Sequence, residues 1–398
     1  MQSNEKIRVL RIISRLNIGG PSIHSLLLSK KINFSAFEPH LIFGKTDPLE
    51  GNLAPTKNEP FQYYYVPHLQ REISPFRDFR SFISILKIIK KVKPHIVHTH
   101  QAKAGLLGRL AAIVTGVPIR IHTFHGHVFH SYFPTWKTNL FLFLERILAR
   151  YSHLIAISDN QKQELESHLK SPPSIEVIPL GLELKKFENL PPQEPLKKQW
   201  GYTQDSVIIG IVGRLVPIKN HDLFLDVAKE LKNQFHHVKF LIVGDGERRT
   251  HLEKRIQSEN LDHVRMIGWQ KDLREIYSLL DIVVLTSLNE GTPVSLIEAA
   301  ASGKSIVSVC VGGVDSIIQH KINGYLIQNH NISEFTNSLE QLIKNKVLRE
   351  AMGKSLQHET IKYFGEDRLI KKIEDLYKKT SSKFKAKHRG VGGKNILP

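Results

Sequence analysis

Asp281-Ile282-Val283-Val284-Leu285-Thr286-Ser287-Leu288-Asn289-Glu290-Gly291-Thr292-Pro293-Val294-Ser295-Leu296-Ile297-Glu298-Ala299 joins a β-branched run to a helical pattern through a polar turn that contains glycine. The run 281–285 reads as a strand. Thr292 is placed as the N-cap and Pro293 as the first helical residue, which leaves the N–H groups of Val294 and Ser295 without intrahelical partners. In open parallel sheets ligands bind beyond the carboxyl ends of strands, and such a free helix N-terminus suits a phosphate. Glu290 precedes the helix, and Glu298 falls in its second turn among Leu296, Ile297, Ala299, Ala300 and Ala301. A carboxylate so placed should be largely buried and needs hydrogen-bond donors. A ribose diol offers two, and a structural ion pair is the alternative.

The same rhythm runs outward in both directions. Strand signals at Ile7 to Ile13, Leu41 to Phe43, Ile96 to Thr99, Ile119 to Thr123, Leu154 to Ile157 and Ile175 to Ile178 alternate with helical patterns. The alternation stops at Leu190-Pro191-Pro192-Gln193-Glu194-Pro195. It resumes at Val207 to Val212, Phe240 to Val243, Arg265 to Ile267, Asp281 to Leu285, Ser305 to Val309 and Gly324 to Ile327. Repeated βαβ units mean mostly parallel sheets, so the expected class is α/β with two Rossmann-like domains. The expected boundaries are 1–190, a proline-rich linker 191–205, a second domain 206–362, a helix 363–380 that can pack on either domain, and a disordered basic tail 381–398.

Two other turns resemble the first. Asn17-Ile18-Gly19-Gly20-Pro21-Ser22 follows the opening strand, where Gly19 and Gly20 permit close backbone approach and Pro21 or Ser22 can begin a helix. A purely structural strand-to-helix turn explains it equally well. Gly213-Arg214-Leu215-Val216-Pro217-Ile218-Lys219-Asn220 follows the first strand of the second domain. With Asn220 as N-cap, Arg214 and Lys219 crowd the positive end of a helix dipole, a conflict that a bound diphosphate relieves.

The 398 residues carry 56 Lys and Arg against 38 Asp and Glu, a net charge of +18 that points to an anionic partner. Nucleic acid fits poorly, because 8% aromatics accompany no stacking or helix-turn-helix module. The one cysteine, Cys310, reads as a buried strand thiol, and the polar start Met1-Gln2-Ser3-Asn4-Glu5 lacks the plan of a signal peptide. No run approaches the length of a spanning helix. The expected setting is therefore cytoplasmic, with peripheral contact on the inner face of the plasma membrane.

The Glu290-x7-Glu298 spacing inside Glu-Gly-Thr-Pro-Val-Ser-Leu-Ile-Glu-Ala-Ala-Ala-Ser-Gly strongly resembles the signature of family 4 retaining glycosyltransferases of the GT-B fold. Gly213-Arg-Leu…Lys219-Asn, Val243-Gly-Asp-Gly-Glu and Val311-Gly-Gly-Val are similar to further blocks of that family, in its order. His98-Thr-His, Ala102-Lys-Ala-Gly and His122-Thr-Phe-His-Gly match its N-terminal half, and the likeness spans roughly residues 6 to 380. It implies two domains facing across a donor cleft. It further implies Glu298 on the donor ribose, Glu290 on the transferred sugar, and Arg214 and Lys219 on the diphosphate with the Val294 and Ser295 amides. Gly291, Thr292 and Pro293 complete that donor loop, Gly20 approaches from the other domain beside Gly19, His125 faces the sugar, and the base meets backbone near Gln270. Glu290, His125, Arg214 and Lys219 are the expected catalytic set. The donor is expected to be a UDP-sugar.

His98, His100, His122, His125, His127 and His130 raise the question of a metal, but no Cys joins them and most fall at different strand ends, so none is expected. No Asp-x-Asp occurs either, and cations with helix dipoles stand in for a divalent ion. The helix Phe76 to Lys93, with Phe79, Phe82, Ile83, Leu86 and Ile89 on one stripe and many Lys and Arg elsewhere, is either a core helix or a membrane-facing surface. Thr135 to Arg150, with Trp136, Phe141 and Phe143, is a second such surface. The family members resembled build bacterial surface polysaccharide or lipopolysaccharide, which implies a lipid-linked or glycan acceptor. A nucleotide-sugar epimerase of the same fold is the rival activity.

Overall fold

The computed structural model describes residues 5–47, 51–70, 72–125, 135–170 and 175–389, with backbone alone at 135–138 and 387–389. His127, His130, Lys394 and the side chains of Trp136, Lys387 and Arg389 lie outside that description. The chain divides into two compact units, 1–182 with 366–398, and 183–365.

In the first unit β1 (Ile7–Ile13) leads to α1 (Gly20–Lys31), β2 (Phe37–Gly44), β3 (Gln62–Val66) and α2 (Pro75–Val92). Then come β4 (Ile96–His100), α3 (Ala102–Val114), β5 (Ile119–Thr123), α4 (Thr135–Ala149), β6 (His153–Ala156), α5 (Asp159–Leu169) and β7 (Ile175–Val177). All seven strands pair in parallel, in the order β3-β2-β1-β4-β5-β6-β7. Alternation along β1 decides the layers. Val9 joins Leu27, Leu28 and Phe37 under one face, whereas Leu10 and Ile12 join Ile85, Ile89 and Ala111 under the other. The strand β3, Gln62-Tyr63-Tyr64-Tyr65-Val66, escapes the sequence reading because it is a half-exposed edge strand with no aliphatic run.

The second unit contains α6 (Gln193–Gln199), β8 (Val207–Val212), α7 (His221–Leu231), β9 (Val238–Val243), α8 (Arg249–Ser258) and β10 (Val264–Met266). It continues with α9 (Leu273–Leu279), β11 (Ile282–Leu285), α10 (Val294–Ala301), β12 (Ser305–Val309), β13 (Tyr325–Ile327), α11 (Ile332–Lys344) and α12 (Lys346–Phe364). Its six strands are parallel in the order β10-β9-β8-β11-β12-β13. The chain returns to the first unit as α13 (Glu366–Arg389).

Three expectations change. Residues 191–205 are not an unstructured linker: Pro191 and Pro192 precede the helix α6, Leu196 is buried, and Gln193 Nε2 donates to the Leu279 carbonyl and to Asp281 Oδ1 at 3.1 and 3.2 Å. Proline outside a helix start delimits that helix rather than dissolving it. The tail from 381 does not begin where disorder was expected, because α13 runs on to Arg389. Its apolar stripe Leu369, Ile373, Leu376 and Tyr377 packs with Val9, Leu27 and Phe37 in the first unit. Cys310 sits one residue past β12 and is only half-buried. Among the described residues no helix is long and apolar enough to cross a membrane.

Within the first unit Arg109 on α3 holds Glu145 on α4 through two bonds of 2.6 Å, both side chains being buried. Removing one partner strands the other charge away from water. Glu145→Ala should therefore lower the unfolding free energy of this unit by about 3–5 kcal/mol, read by chemical denaturation. A loss below about 1 kcal/mol would show that water reaches Arg109.

Candidate donor site

In a doubly wound sheet the strand order reverses at one point, and the loops leaving the two strands there diverge to opposite faces and open a crevice. In the second unit that point lies between β8 and β11. The loop after β8 carries Gly213 to Asn220, and the loop after β11 carries Thr286 to Pro293. Thr286 Oγ1 donates to the Lys219 carbonyl at 2.9 Å and Leu288 N to the Ile218 carbonyl at 2.8 Å, so the two loops are stitched together.

Across that seam Lys219 Nζ donates to Glu290 Oε1 at 2.5 Å, and Ser287 Oγ donates to the same oxygen at 2.6 Å. An external anion was the expected relief for Lys219. In the structure Glu290 is its counter-ion, so the two expected donor residues satisfy each other. Asn220 is the N-cap position of α7 but lies in the left-handed region, φ 49°, and makes no side-chain cap bond. Arg214 is half-buried at the end of β8.

Glycines elsewhere in the motifs hold these loops. Gly312 has φ +55°, and a Cβ there would stand 1.7 Å from the Glu290 carbonyl oxygen, while Gly313 N donates to the Gly291 carbonyl at 3.0 Å. A Cβ at Gly244 would stand 1.9 Å from the Gly213 carbonyl oxygen. Both glycine pairs thus work through backbone approach, one behind the Glu290 loop and the other behind the Gly213 turn.

The helix α10 begins one residue later than expected. Pro293, not Thr292, is its N-cap, with φ −76° and ψ 103°, and no side chain caps it. The proline ring drives Thr292 out of the helical region, so the first turn starts at Val294. The N–H groups of Val294 and Ser295 still head the helix without intrahelical acceptors.

Glu298 keeps part of its surface open, but its carboxyl group is covered deeply enough that burial pushes its pKa up to about 7, against the opposing pull of Lys186 and of the Tyr277 hydroxyl. Tyr277 Oη lies 3.1 Å from Glu298 Oε2, to which it donates, and 3.1 Å from the Ser295 carbonyl. The buried partner turns out to be a phenol rather than a cation. Gln270 is half-buried and donates from Nε2 to the Ile267 carbonyl at 2.8 Å.

In the first unit the reversal lies between β1 and β4. Gly19 is the N-cap of α1 and Gly20 its first residue, with Gly19 accepting from the N–H groups of Ser22 and Ile23 at 3.1 Å each. His100 ends β4 and His125 follows β5 by two residues; His100 Nδ1 and His125 Nε2 share a hydrogen bond of 2.9 Å. Burial holds His125 neutral, with its pKa down at about 3. His98 and His122 have other work. His98 bonds Tyr377 Oη at 2.7 Å and Thr123 Oγ1 at 2.8 Å, and His122 bonds Thr99 Oγ1 at 2.9 Å. Sequence reasoning missed Ser287, Tyr277 and His24. Ser287 stands three residues before Glu290 and was findable, whereas Tyr277 and His24 lie on helices with no local signal.

The folded-state pKa of Glu298 stands above its ordinary value of 4.5, so the fold favours the protonated acid. The stability that proton supplies is complete below about pH 4.5 and is lost as pH rises through about 7. Glu298→Gln keeps the neutral shape and should therefore raise Tm more at about pH 8 than at about pH 5. A gain that fails to grow with pH in a thermal-shift series would contradict the burial of this carboxyl.

The family model described as Glycosyltransferase Family 4 matches residues 18–186, and the one described as Glycosyl transferases group 1 matches residues 192–358. The UDP-Gal:alpha-D-GlcNAc-diphosphoundecaprenol alpha-1,3-galactosyltransferase of Escherichia coli is 31% identical over 382 residues, which span 94% of this chain and 97% of that protein. The capsular polysaccharide biosynthesis glycosyltransferase CapM of Staphylococcus aureus is 25% identical over 79% of this chain and 84% of its own. Among solved structures, a glycosyltransferase from Rickettsia africae superposes with a TM-score of 0.78 at 21% identity, over 94% of this chain and 98% of that one. Anabaena HepE, in complex with UDP and glucose, gives 0.79 at 16% identity, over 94% and 99%. The chain is a glycosyltransferase of the GT-B fold and belongs to the group 1 and family 4 glycosyltransferases.

Proposed function

We propose that this protein moves a sugar from a UDP-sugar to a lipid-linked or glycan acceptor, with retention at the anomeric carbon and without a metal ion. The observation that carries the reading is the seam at the reversal point of the second unit, where Lys219, Glu290 and the head of α10 converge. A diphosphate there meets the N–H groups of Val294 and Ser295, with Lys219 and Arg214 as counter-charges. Once Lys219 turns to the phosphates, Glu290 is released to accept from sugar hydroxyls, and Glu298 accepts from the ribose. The reading assigns Gly291, Thr292 and Pro293 to the donor loop, the backbone near Gln270 to the base, Gly19 and Gly20 to backbone approach, and His125 to the sugar.

In the reaction the bond between the anomeric carbon and the phosphate oxygen breaks, and the acceptor oxygen bonds that carbon from the same face. The acceptor proton passes to the departing diphosphate. The transition state is oxocarbenium-like, so cations aimed at the growing negative charge on the leaving group lower the barrier. Support for a UDP donor and a lipid-linked acceptor comes from the Escherichia coli relative, a UDP-Gal:alpha-D-GlcNAc-diphosphoundecaprenol galactosyltransferase. Two exposed apolar surfaces in the first unit favour peripheral association with an anionic membrane. Phe79 is not on the core stripe of α2: it is 64% exposed beside Phe76 at 66%, among Arg and Lys, whereas Ser81, Ile85 and Ile89 face inward. On α4, Leu140, Phe143 and Ile147 are exposed at helical spacing.

Turnover should survive EDTA; abolition by EDTA with rescue by Mn²⁺ would sink metal-free catalysis. Calorimetric titration with UDP tests the residue roles. Glu298→Ala should weaken UDP binding by about 1–3 kcal/mol for the lost charged hydrogen bonds. Glu290→Ala should leave UDP affinity intact or raise it, because Lys219 is freed, while depressing turnover of the full donor. Equal losses of UDP affinity in the two folded variants would contradict the separate assignments.

A further inference from the structure

Three histidines of the first unit meet at the carboxyl edge of its sheet. His100 closes β4, His125 follows β5, and His24 lies one turn into α1. Their ring centroids form a nearly equilateral triangle with sides of 5.5 Å (His24 to His100), 5.0 Å (His24 to His125) and 5.2 Å (His100 to His125). One nitrogen from each ring lies within 4.8 Å of the other two. Zinc held by imidazole nitrogens at about 2.0–2.1 Å in tetrahedral directions puts ring centres roughly 5 Å apart, so the triangle already has the required size.

Hydrogen bonding separates this trio from its neighbours. His98 spends both ring nitrogens on Tyr377 and Thr123, as a packing histidine does. His24 is 1% exposed with neither nitrogen hydrogen-bonded, and His100 Nε2 and His125 Nδ1 are likewise buried without partners in the protein. Buried imidazole nitrogens are ordinarily satisfied, so His24, with both nitrogens orphaned beside the His100–His125 bond, calls for a partner. Among the described residues no carboxylate joins the group, and an all-imidazole set suits zinc, cobalt or copper rather than magnesium or calcium.

We propose that His24, His100 and His125 form a binding site for a zinc-class divalent cation, with a fourth position left to solvent. The ion displaces the proton that His100 and His125 share and draws His24 into the same shell. It is not a catalytic cofactor. Only its effect on turnover rests on the reading proposed above: His125 ligated to a metal is withdrawn from the sugar, so the filled site inhibits.

The test uses the full-length, metal-stripped protein titrated with Co²⁺ and Zn²⁺. The expected result is one equivalent of Co²⁺ showing the intense visible absorption of a four-coordinate ion, displaced by Zn²⁺. His24→Ala should abolish that absorption and weaken Zn²⁺ binding at least roughly tenfold, while His358→Ala, an exposed control in the second unit, should change neither. Because His24→Ala opens a cavity, His24→Gln, of similar length, is run beside it with circular dichroism to confirm folding. Absence of the visible band at saturating Co²⁺, or its persistence in a folded His24 variant, overturns the site. Loss of donor turnover on metal binding, absent in His24→Gln, supports both the site and the role of His125. Metal bound at these residues with turnover unimpaired supports the site and counts against that role.

Discussion

A parallel sheet delivers every strand's carboxyl end to the same edge, and the rest of this structure depends on that constraint. Residues far apart in the chain become neighbours whenever they follow adjacent strands. Lys219 and Glu290 are 71 positions apart and meet because β8 and β11 are adjacent in the sheet. His100 and His125 meet because β4 and β5 are adjacent, and His24 joins them because α1 leaves the neighbouring strand β1. Each unit therefore gathers its chemistry at its own reversal point.

The charges gathered at the second unit's reversal point are paired with each other. Lys219 and Glu290 are 20% and 10% exposed, so neither could be left alone without a desolvation cost, and each is the other's partner. On the reading proposed above, a diphosphate takes the lysine and sugar hydroxyls take the glutamate, so the donor replaces one internal ion pair with two external contacts. Glu298 is handled differently. Its hydrogen-bond partner Tyr277 is neutral, and burial holds the acid's pKa up at about 7. The backbone beneath is set by glycines whose missing Cβ atoms let strand-end loops touch, Gly312 against Glu290 and Gly244 against Gly213.

Much of this was legible in the sequence because β-branched runs and glycine turns report local structure. All six strand signals of the second unit correspond to strands, and the Glu290 and Glu298 loop lies after the strand that its pattern implied. What was hidden depends on partners. The edge strand β3 buries too little to leave an aliphatic signature, and α6 looked like a linker because prolines mark helix starts as well as loops. Thr292 lost the cap because the proline after it constrains its backbone. The histidines seemed too dispersed for one cluster because they sit at different strand ends, yet in a parallel sheet those are the ends that converge. His24 and Tyr277 carry no sequence signal, since only tertiary packing aims them.

The central claim is that the Lys219–Glu290 pair is the resting form of a donor site. A crystal structure of the full chain with bound UDP tests it most directly. The account predicts the diphosphate at the head of α10, Lys219 Nζ turned from Glu290 onto a phosphate oxygen, and the Glu298 carboxylate on the ribose hydroxyls. A diphosphate bound away from Val294 and Ser295, or bound there with the Lys219–Glu290 pair intact, would contradict it.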